Sequence, residues 1–396
     1  MAARRIEQEP EETFMATTYR IPVADEDLPG ALRAFLQAVL SLPDINAVLA
    51  PGQLPMKNTV MPMLVSDPEQ LAVADPLAPY FPLNGAKLVS RLTRKPSGGK
   101  IAAVLRSCEI RAFVELVKLH QGIREDVLIV GIDCLGALNN TDYARFAGEA
   151  ATEETTRRFY RSVLDGDGGD FDETALASAC QACELPTPEG ADIGLALFGV
   201  NTRQEILAET KTDAGEAALE RLELEAAETP AGRADAVRSL VARRKVFRDA
   251  MFKRTQEATG TLEDLTRYLA GCVNCYNCRV ACPVCYCREC VFVTDVFDHE
   301  PDRYLRWAER RGAMKMPTDT VFYHLTRLAH MSTACVGCGQ CSNACPNDIP
   351  VMELFRATAA QTQAAFGYHP GRSLEERPPL SEFREDEFSE VVGIEG

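Results

Sequence analysis

The sequence predicts an α/β N-terminal domain, a helical connector and a cysteine-rich C-terminal domain with a helical insertion. Three observations carry this reading. Two short apolar runs flank an amphipathic segment, a long stretch rich in Ala, Glu, Arg and Leu follows with few turn residues, and eleven of the fifteen cysteines fall after residue 262.

The apolar runs are residues 100–105 (KIAAVL) and 127–132 (VLIVGI), each suited to a buried strand. Between them, residues 109–121 (EIRAFVELVKLHQ) show the apolar spacing of an amphipathic helix. Strand, helix and strand in about thirty residues make a βαβ unit, and residues 193–200 offer a further strand. Residues 1–18 read as a polar tail and 19–201 as the α/β domain. The connector spans 202–262, with breaks near Thr229, Pro230 and Gly232. The cysteine-rich domain covers 263–366, and an acidic tail, 367–396, reads as disordered or as a strap on a partner.

With 396 residues, 46% hydrophobic and 25% charged, the chain can bury a sizeable core divided into two or three domains. A net charge of −16 and a pI near 4.9 argue against nucleic acid or an anionic membrane surface as partner. The start, MAARRIEQEPEETF, lacks the apolar core of a secretory signal, and no stretch is long enough for a membrane span. The expectation is a cytoplasmic protein. In that reducing compartment fifteen cysteines are metal ligands or buried thiols rather than a disulfide framework.

Cys272, Cys275, Cys278 and Cys282, followed by Pro283, have the spacing C-x-x-C-x-x-C-x-x-x-C-P, and Cys335, Cys338, Cys341 and Cys345, followed by Pro346, repeat it. This is the run of two-cluster bacterial ferredoxins, in which three cysteines hold one four-iron cluster and the fourth reaches to the other. The C-terminal domain is therefore expected to be an α+β two-cluster ferredoxin-like domain. Cluster one takes Cys272, Cys275, Cys278 and Cys345; cluster two takes Cys335, Cys338, Cys341 and Cys282. A zinc ribbon needs only paired C-x-x-C knuckles and explains neither the third cysteine nor the trailing proline. Gly337 and Gly339 supply positive φ in the second run, and Asn274 and Asn277 are the matching candidates in the first. About fifty residues separate the runs, including a helical segment, 302–311 (DRYLRWAERR), whose Trp307 reads as a packing anchor. Cys285, Cys287 and Cys290 are left over, as buried thiols or an additional metal site.

The chain resembles the β subunits of deazaflavin (F-420) reducing hydrogenases and of the related formate dehydrogenases. The resemblance rests on residues 101–119 (IAAVLRSCEIRAFVELVKL), 127–136 (VLIVGIDCLG) and 180–200 (CQACELPTPEGADIGLALFGV), together with the dicluster motif, about half the chain. It implies an FAD bound without a dinucleotide fingerprint, and none follows a strand here. It also implies electron transfer between a two-electron carrier and a chain of 4Fe-4S clusters. The ferredoxin module follows the flavin-type domain here, whereas some relatives place it first, which leaves the native carrier open.

The implied partner is a large redox subunit such as a formate dehydrogenase or hydrogenase catalytic subunit, with heterodisulfide-reductase-like subunits a further possibility. The alternative is a flavin-free iron–sulfur adaptor wiring larger subunits together. Candidate flavin contacts are Lys57, Asn58, Lys87, Arg106 and Arg111, since cations and amide donors suit pyrophosphate and an anionic reduced ring. A third 4Fe-4S cluster is expected on Cys108, Cys134, Cys180 and Cys183. The first two follow parallel strands at one sheet edge and the last two form a C-x-x-C pair. Core cysteines with a redox dithiol or half a zinc site are the competing reading. Five scattered histidines offer no acid/base constellation for a self-contained reductase.

Overall fold

The structure is a computed structural model and describes residues 17–55, 59–96, 98–166, 170–171, 174–287 and 289–381. In chain order the N-terminal half runs β1 (Thr18–Pro22), α1 (Leu28–Leu40), β2 (Ile45–Gln53), β3 (Val60–Val65), α2 (Ala86–Leu92), β4 (Lys100–Leu105), α3 (Ser107–Lys118) and β5 (Val127–Ile132). It continues through α4 (Asn140–Ala147), α5 (Thr152–Asp165), β6 (Asp170–Phe171), β7 (Thr174–Ala175), α6 (Ser178–Gln181), β8 (Ile193–Ala196), β9 (Glu205–Thr210), α7 (Asp213–Glu220) and β10 (Glu225–Ala226). The remainder is helical: α8 (Arg233–Ala258), α9 (Leu262–Tyr268), α10 (Asn277–Ala281), α11 (Pro301–Arg311), α12 (Thr320–Met331), α13 (Gln340–Asn343) and α14 (Val351–Ala365).

Eight strands form one sheet in the order β10-β1-β9-β8-β5-β4-β2-β3. Its centre, β8-β5-β4-β2, is parallel, and the outer pairings are antiparallel. The expected βαβ unit is β4-α3-β5, with Ile101 opposite Val127. Side chains alternate across the sheet as strand geometry requires. Val48, Ala102, Val104, Leu128 and Val130 enter a core with α1, α5 and α7, while Leu49, Ile101, Ala103, Val127 and Ile129 enter a second core with α2 and α3. That second core runs without a break into the ferredoxin module through Val336, Ile349, Leu354 and Phe355.

Two expectations need correction. The stretch 202–262 is not wholly helical, because β9 pairs with both β1 and β8 and β10 extends the sheet. Its composition hid a strand: Ile206, Leu207 and Ala208 are fully buried, and the acidic Glu209 is tolerated because Arg233 Nε donates to it at 2.7 Å and Lys211 lies at 2.9 Å. The ferredoxin module, in turn, is not α+β here, since it has no strand among its described residues; loops carrying the cysteines are held between α10, α12, α13 and α14.

Helix α8 spans the two parts. Its buried residues Arg233, Leu240, Arg244, Met251 and Thr255 lie seven and four residues apart, a narrow stripe facing α6 and α14. The chain after α14 returns to α3, where Tyr368 donates to both Glu115 oxygens, 2.6 and 2.7 Å away, and Gly371 N–H donates to the same carboxylate at 2.8 Å. No helix among the described residues is long and apolar enough to cross a membrane.

Candidate iron–sulfur sites and an adjoining cleft

Because β4 and β5 are parallel neighbours, the loops leaving their C-terminal ends emerge at the same sheet edge. Cys108 sits in the first turn of α3 and Cys134 just past β5; Cys180 lies on α6 and Cys183 just beyond it. All four line one pocket, together with Phe81, Arg106, Arg244, Gly337 and Cys338. Burial pushes the Cys180 thiol up to about 12, with Cys134 and Cys183 adding to the shift, and burial raises Cys108 and Cys134 as well. Thiolates so buried need a positive partner such as iron. Arg106 and Arg244 approach Cys134; Arg106 also donates to the Ala78 carbonyl at 2.8 Å and lies 4.6 Å over the Phe81 ring.

In the ferredoxin module Cys272, Cys275, Cys278 and Cys345 line one pocket, the last brought in from the second cysteine run. Cys282 of the first run stands among Cys335, Cys338 and Cys341 of the second; burial raises the pKa of each of the three, and Cys282 adds to the shift. The two runs share a backbone register. Asn274 and Tyr276 have φ of 51° and 60°, and Gly337 and Gly339, placed identically about the second cysteine of their run, have 69° and 82°. Tyr276 therefore takes the left-handed position assigned to Asn277, which instead opens α10. At Gly339 a side chain is excluded twice, since a Cβ would also come within 2.6 Å of the Ala179 Cβ.

The insertion supplies the surroundings of the first run. On α12, Tyr323, His324 and Arg327 share one buried face. Tyr323 Oη lies 3.4 Å from Cys278 Sγ, His324 Nε2 lies 3.4 Å from Cys272 Sγ, and Arg327 Nη1 donates to Cys278 Sγ at 3.1 Å. Burial, with Arg327 and Lys315 nearby, lowers the His324 imidazole to about 4, so it is neutral at pH 7. Helix α11 forms where expected, but it buries no residue, and Trp307 stacks only locally, edge-on to His299 and under Arg303.

Of the five flavin contacts expected from the sequence, the structure places three. Lys57 and Asn58 lie outside the described residues. Lys87 Nζ donates to the Val280 carbonyl at 3.0 Å, Arg111 Nη2 to the Val336 carbonyl at 2.9 Å, and Arg106 to Ala78. Arg106 thus turns to the loop before α2, Lys87 to the helix α10 that carries Cys278, and Arg111 to the second cysteine run. A different opening lies nearby: a solvent-open cleft of about 340 Å³, lined by Asn139, Asn140, Thr141, Ser178, Ser342 and Asn343, with Cys345 in its wall.

Of the leftover cysteines, Cys285 lies beside Cys282, Arg327, Lys87 and Cys287, and burial raises its thiol to about 11. Cys290 packs with Phe292 and Tyr323. Among the described residues no three His, Cys, Asp or Glu side chains are grouped to hold a single metal ion. A cubane differs in that each thiolate binds its own corner iron.

Sequence reasoning missed Arg244, Arg327 and Arg356, which stand on three different helices and each approach a cysteine set. Two signals were present: an arginine on the narrow buried stripe of α8, and Tyr-His-x-x-Arg on one face of a helix inside the insertion.

Residues 268–349 match the model of the 4Fe-4S dicluster domain family. The chain is 25% identical over 374 residues to the F420-dependent formate dehydrogenase subunit beta of Methanocaldococcus jannaschii, covering 89% of this chain and 93% of that protein. It is 26% identical over 308 residues to the F420-dependent formate dehydrogenase 1 subunit beta of Methanococcus maripaludis, covering 71% and 75%. Among solved structures, a chain of the F420-reducing NiFe hydrogenase complex from Methanosarcina barkeri aligns with a TM-score of 0.45 and 13% identity, covering 63% of this chain and 94% of that one. The two formate dehydrogenase relatives and the dicluster domain bear out the resemblance drawn from the sequence.

Proposed function

On the premise that this chain is an iron–sulfur oxidoreductase subunit related to the β subunits of F420-dependent formate dehydrogenases, we propose that it holds three 4Fe-4S clusters and a flavin. In this reading it links a two-electron carrier to a larger catalytic partner. The carrying observation is the shared pocket in which Cys108, Cys134, Cys180 and Cys183 meet Cys338. It sets one thiol set against the next, as stepwise electron transfer requires.

Each thiol set would hold a cluster whose net negative charge needs compensation, and each has buried arginines nearby. Arg106 and Arg244 serve the set at the sheet edge, Arg111 and Arg356 serve Cys335, and Arg327 serves Cys278. The ordering runs from the sheet-edge set through Cys338 to the second ferredoxin set, then by Arg327 to the first, whose Cys275 is exposed. Exposure at that end favours a partner surface there.

A bound flavin supplies conversion between hydride and single-electron transfer, and each cluster carries one electron. The amide and hydroxyl side chains of the cleft suit such a ligand, and the volume falls in the range of cofactor sites. The wall residues Cys345, a ligand of the first set, and Ala179, next to Cys180, would keep it near both ends of the series. One feature favours the flavin-free adaptor instead: no Lys or Arg lines the cleft among the described residues to meet a pyrophosphate. Acid extraction of anaerobically purified protein decides between them. About one FAD or FMN per chain supports the flavoprotein, and its absence from protein with full iron content supports the adaptor.

A further inference from the structure

The inserted segment between the two cysteine runs is longer than cluster binding needs, and α12 is the part of it that reaches the thiols. Its arginine has an unusual position. Arg327 is 4% exposed, and Nη1 donates to Cys278 Sγ at 3.1 Å while Nη2 donates to the Cys278 carbonyl at 3.2 Å. The guanidinium lies 4.6 Å from the Phe355 ring and 5.6 Å from the Tyr323 ring, so two aromatic faces fix its plane. No carboxylate pairs with it at ion-pair distance among the described residues. The sulfurs it faces belong to both sets: Cys278 from the first, Cys282 and Cys341 from the second. The remaining guanidinium nitrogen, Nε, is buried without a hydrogen-bond partner.

A buried cation without a carboxylate is costly unless something else supplies the negative charge. Two cubanes ligated by those thiolates would do so. We propose that Arg327 is a positioning residue for electron flow, raising the reduction potential of both ferredoxin clusters and most strongly that of the first, whose ligand it bonds directly. An N–H donor on a cluster sulfur, and a fixed positive charge near a cluster, both stabilise the more negative reduced state. Arg327 thereby biases the module toward the first cluster as acceptor, in the direction of the exposed Cys275. Tyr323 and His324 complete the same helix face, but neither carries a permanent charge, so Arg327 dominates.

This inference rests on the reading of Cys272, Cys275, Cys278 and Cys345 as one cluster set and Cys335, Cys338, Cys341 and Cys282 as the other. The test uses the full chain, reconstituted anaerobically with iron and sulfide, and monitors reduction by electron paramagnetic resonance at poised potentials. Arg327→Gln should keep the wild-type iron content. At the potential where the wild-type first cluster is half reduced, its reduced-to-oxidised ratio should fall at least tenfold, equivalent to about 59 mV for a one-electron couple. The second cluster should shift in the same direction by less. Arg327→Lys keeps the charge but not the planar fork and should fall between the two. If Arg327→Gln does not take up iron, the lysine variant alone decides, a negative shift supporting the role and wild-type potentials overturning it. Full iron with unchanged potentials in both variants overturns the proposal while leaving the cluster assignment intact. Wild-type protein that binds no iron in the module overturns the assignment itself.

Discussion

Cys108, at the start of α3, and Cys338, in the second cysteine run, open into the same pocket across the seam between the sheet and the ferredoxin module. They lie 230 residues apart in sequence, and close enough that Cys338 adds to the rise that burial produces in the Cys108 pKa. The seam around them is well fastened. Arg111 donates to the Val336 carbonyl, Gln340 Nε2 donates to the Phe81 carbonyl at 2.9 Å, and a common apolar core runs beneath. A rigid seam suits electron transfer, because the distance between carriers is then fixed by packing rather than by a linker.

The proposed exchange of fourth ligands would make the two ferredoxin clusters interdependent. Cys282 stands with Cys335, Cys338 and Cys341, so Cys282→Ala should damage the second cluster more than the first. Resonance spectra of the reduced variant check this. Selective loss of the signal belonging to Cys272, Cys275 and Cys278 would contradict the pairing.

Asp75 offers a pH-dependent prediction away from the clusters. Burial raises its pKa despite hydrogen bonds from Thr156 Oγ1 at 2.7 Å and Gln53 Nε2 at 3.1 Å, and its Oδ1 is buried without a partner. A carboxyl raised in the folded state binds its proton more tightly there than in the unfolded chain. Its contribution to stability is fully present below the ordinary aspartate value and is lost as pH rises through the raised one. Each tenfold difference in proton affinity between the folded and unfolded chain corresponds to a loss of about 1.4 kcal/mol. Asp75→Asn should remove this decline, so unfolding midpoints of variant and wild type should diverge, in the variant's favour, from about pH 4 upward. Parallel profiles would show that Asp75 stays ionised at no cost.

How much of this was legible in the sequence depends on the range of the interactions. The β4-α3-β5 unit and both cysteine runs are local patterns, and the structure reproduces their spacing in strands and loops. The gathering of Cys108 and Cys134 was also legible, because parallel strands force a common edge. By contrast, β9 looked helical because Glu205 and Glu209 disguise a strand whose burial depends on Arg233, 24 residues away from Glu209. The arginines facing the thiols were hidden for the same reason: each belongs to a helix whose orientation is set by tertiary packing. For Lys87, Arg106 and Arg111 the sequence offered candidate cations but not the carbonyls of Val280, Ala78 and Val336 that they meet, because those contacts are set by tertiary packing.

The return of the chain onto α3 should matter for stability. Glu115 and Lys118 are both 2% exposed in their side chains and 3.0 Å apart, and Tyr368 closes over them, its ring 4.8 Å from the lysine nitrogen. Lys118→Met leaves a buried carboxylate without its cation and should cost about 3–5 kcal/mol. Tyr368→Phe keeps the ion pair but removes the hydroxyl that donates to Glu115 and accepts from Lys118 Nζ at 2.8 Å, and should cost about 1.5–3 kcal/mol. Anaerobic denaturant unfolding gives both values. Equal and negligible effects would mean that this strap opens before the transition being measured.

The sheet-edge thiols provide the sharpest test of the proposed cofactor content. Two of them, Cys108 and Cys134, are delivered by neighbouring parallel strands; the other two come from the short helix α6 and the turn after it, which Met251 of α8 and Met352 of α14 pack against through Ala179 and Ala182. Helix α8 also places Arg244, whose guanidinium lies 3.4 Å from the Cys134 carbonyl oxygen. This set therefore depends on three separately packed elements, an expensive arrangement for inert core cysteines, which one element can bury alone. Reconstituted protein should hold about twelve irons per chain, against about eight for the two ferredoxin clusters alone. Changing Cys180 and Cys183 together to Ser should remove about four and leave the ferredoxin signals in place, because neither residue belongs to those sets. Since the two Ser side chains are close in size to Cys, the surrounding apolar contacts should survive and the fold with them. An iron content unchanged by the double substitution would eliminate the third cluster, whereas loss of the ferredoxin signals as well would show that the seam at Cys338 cannot form without it.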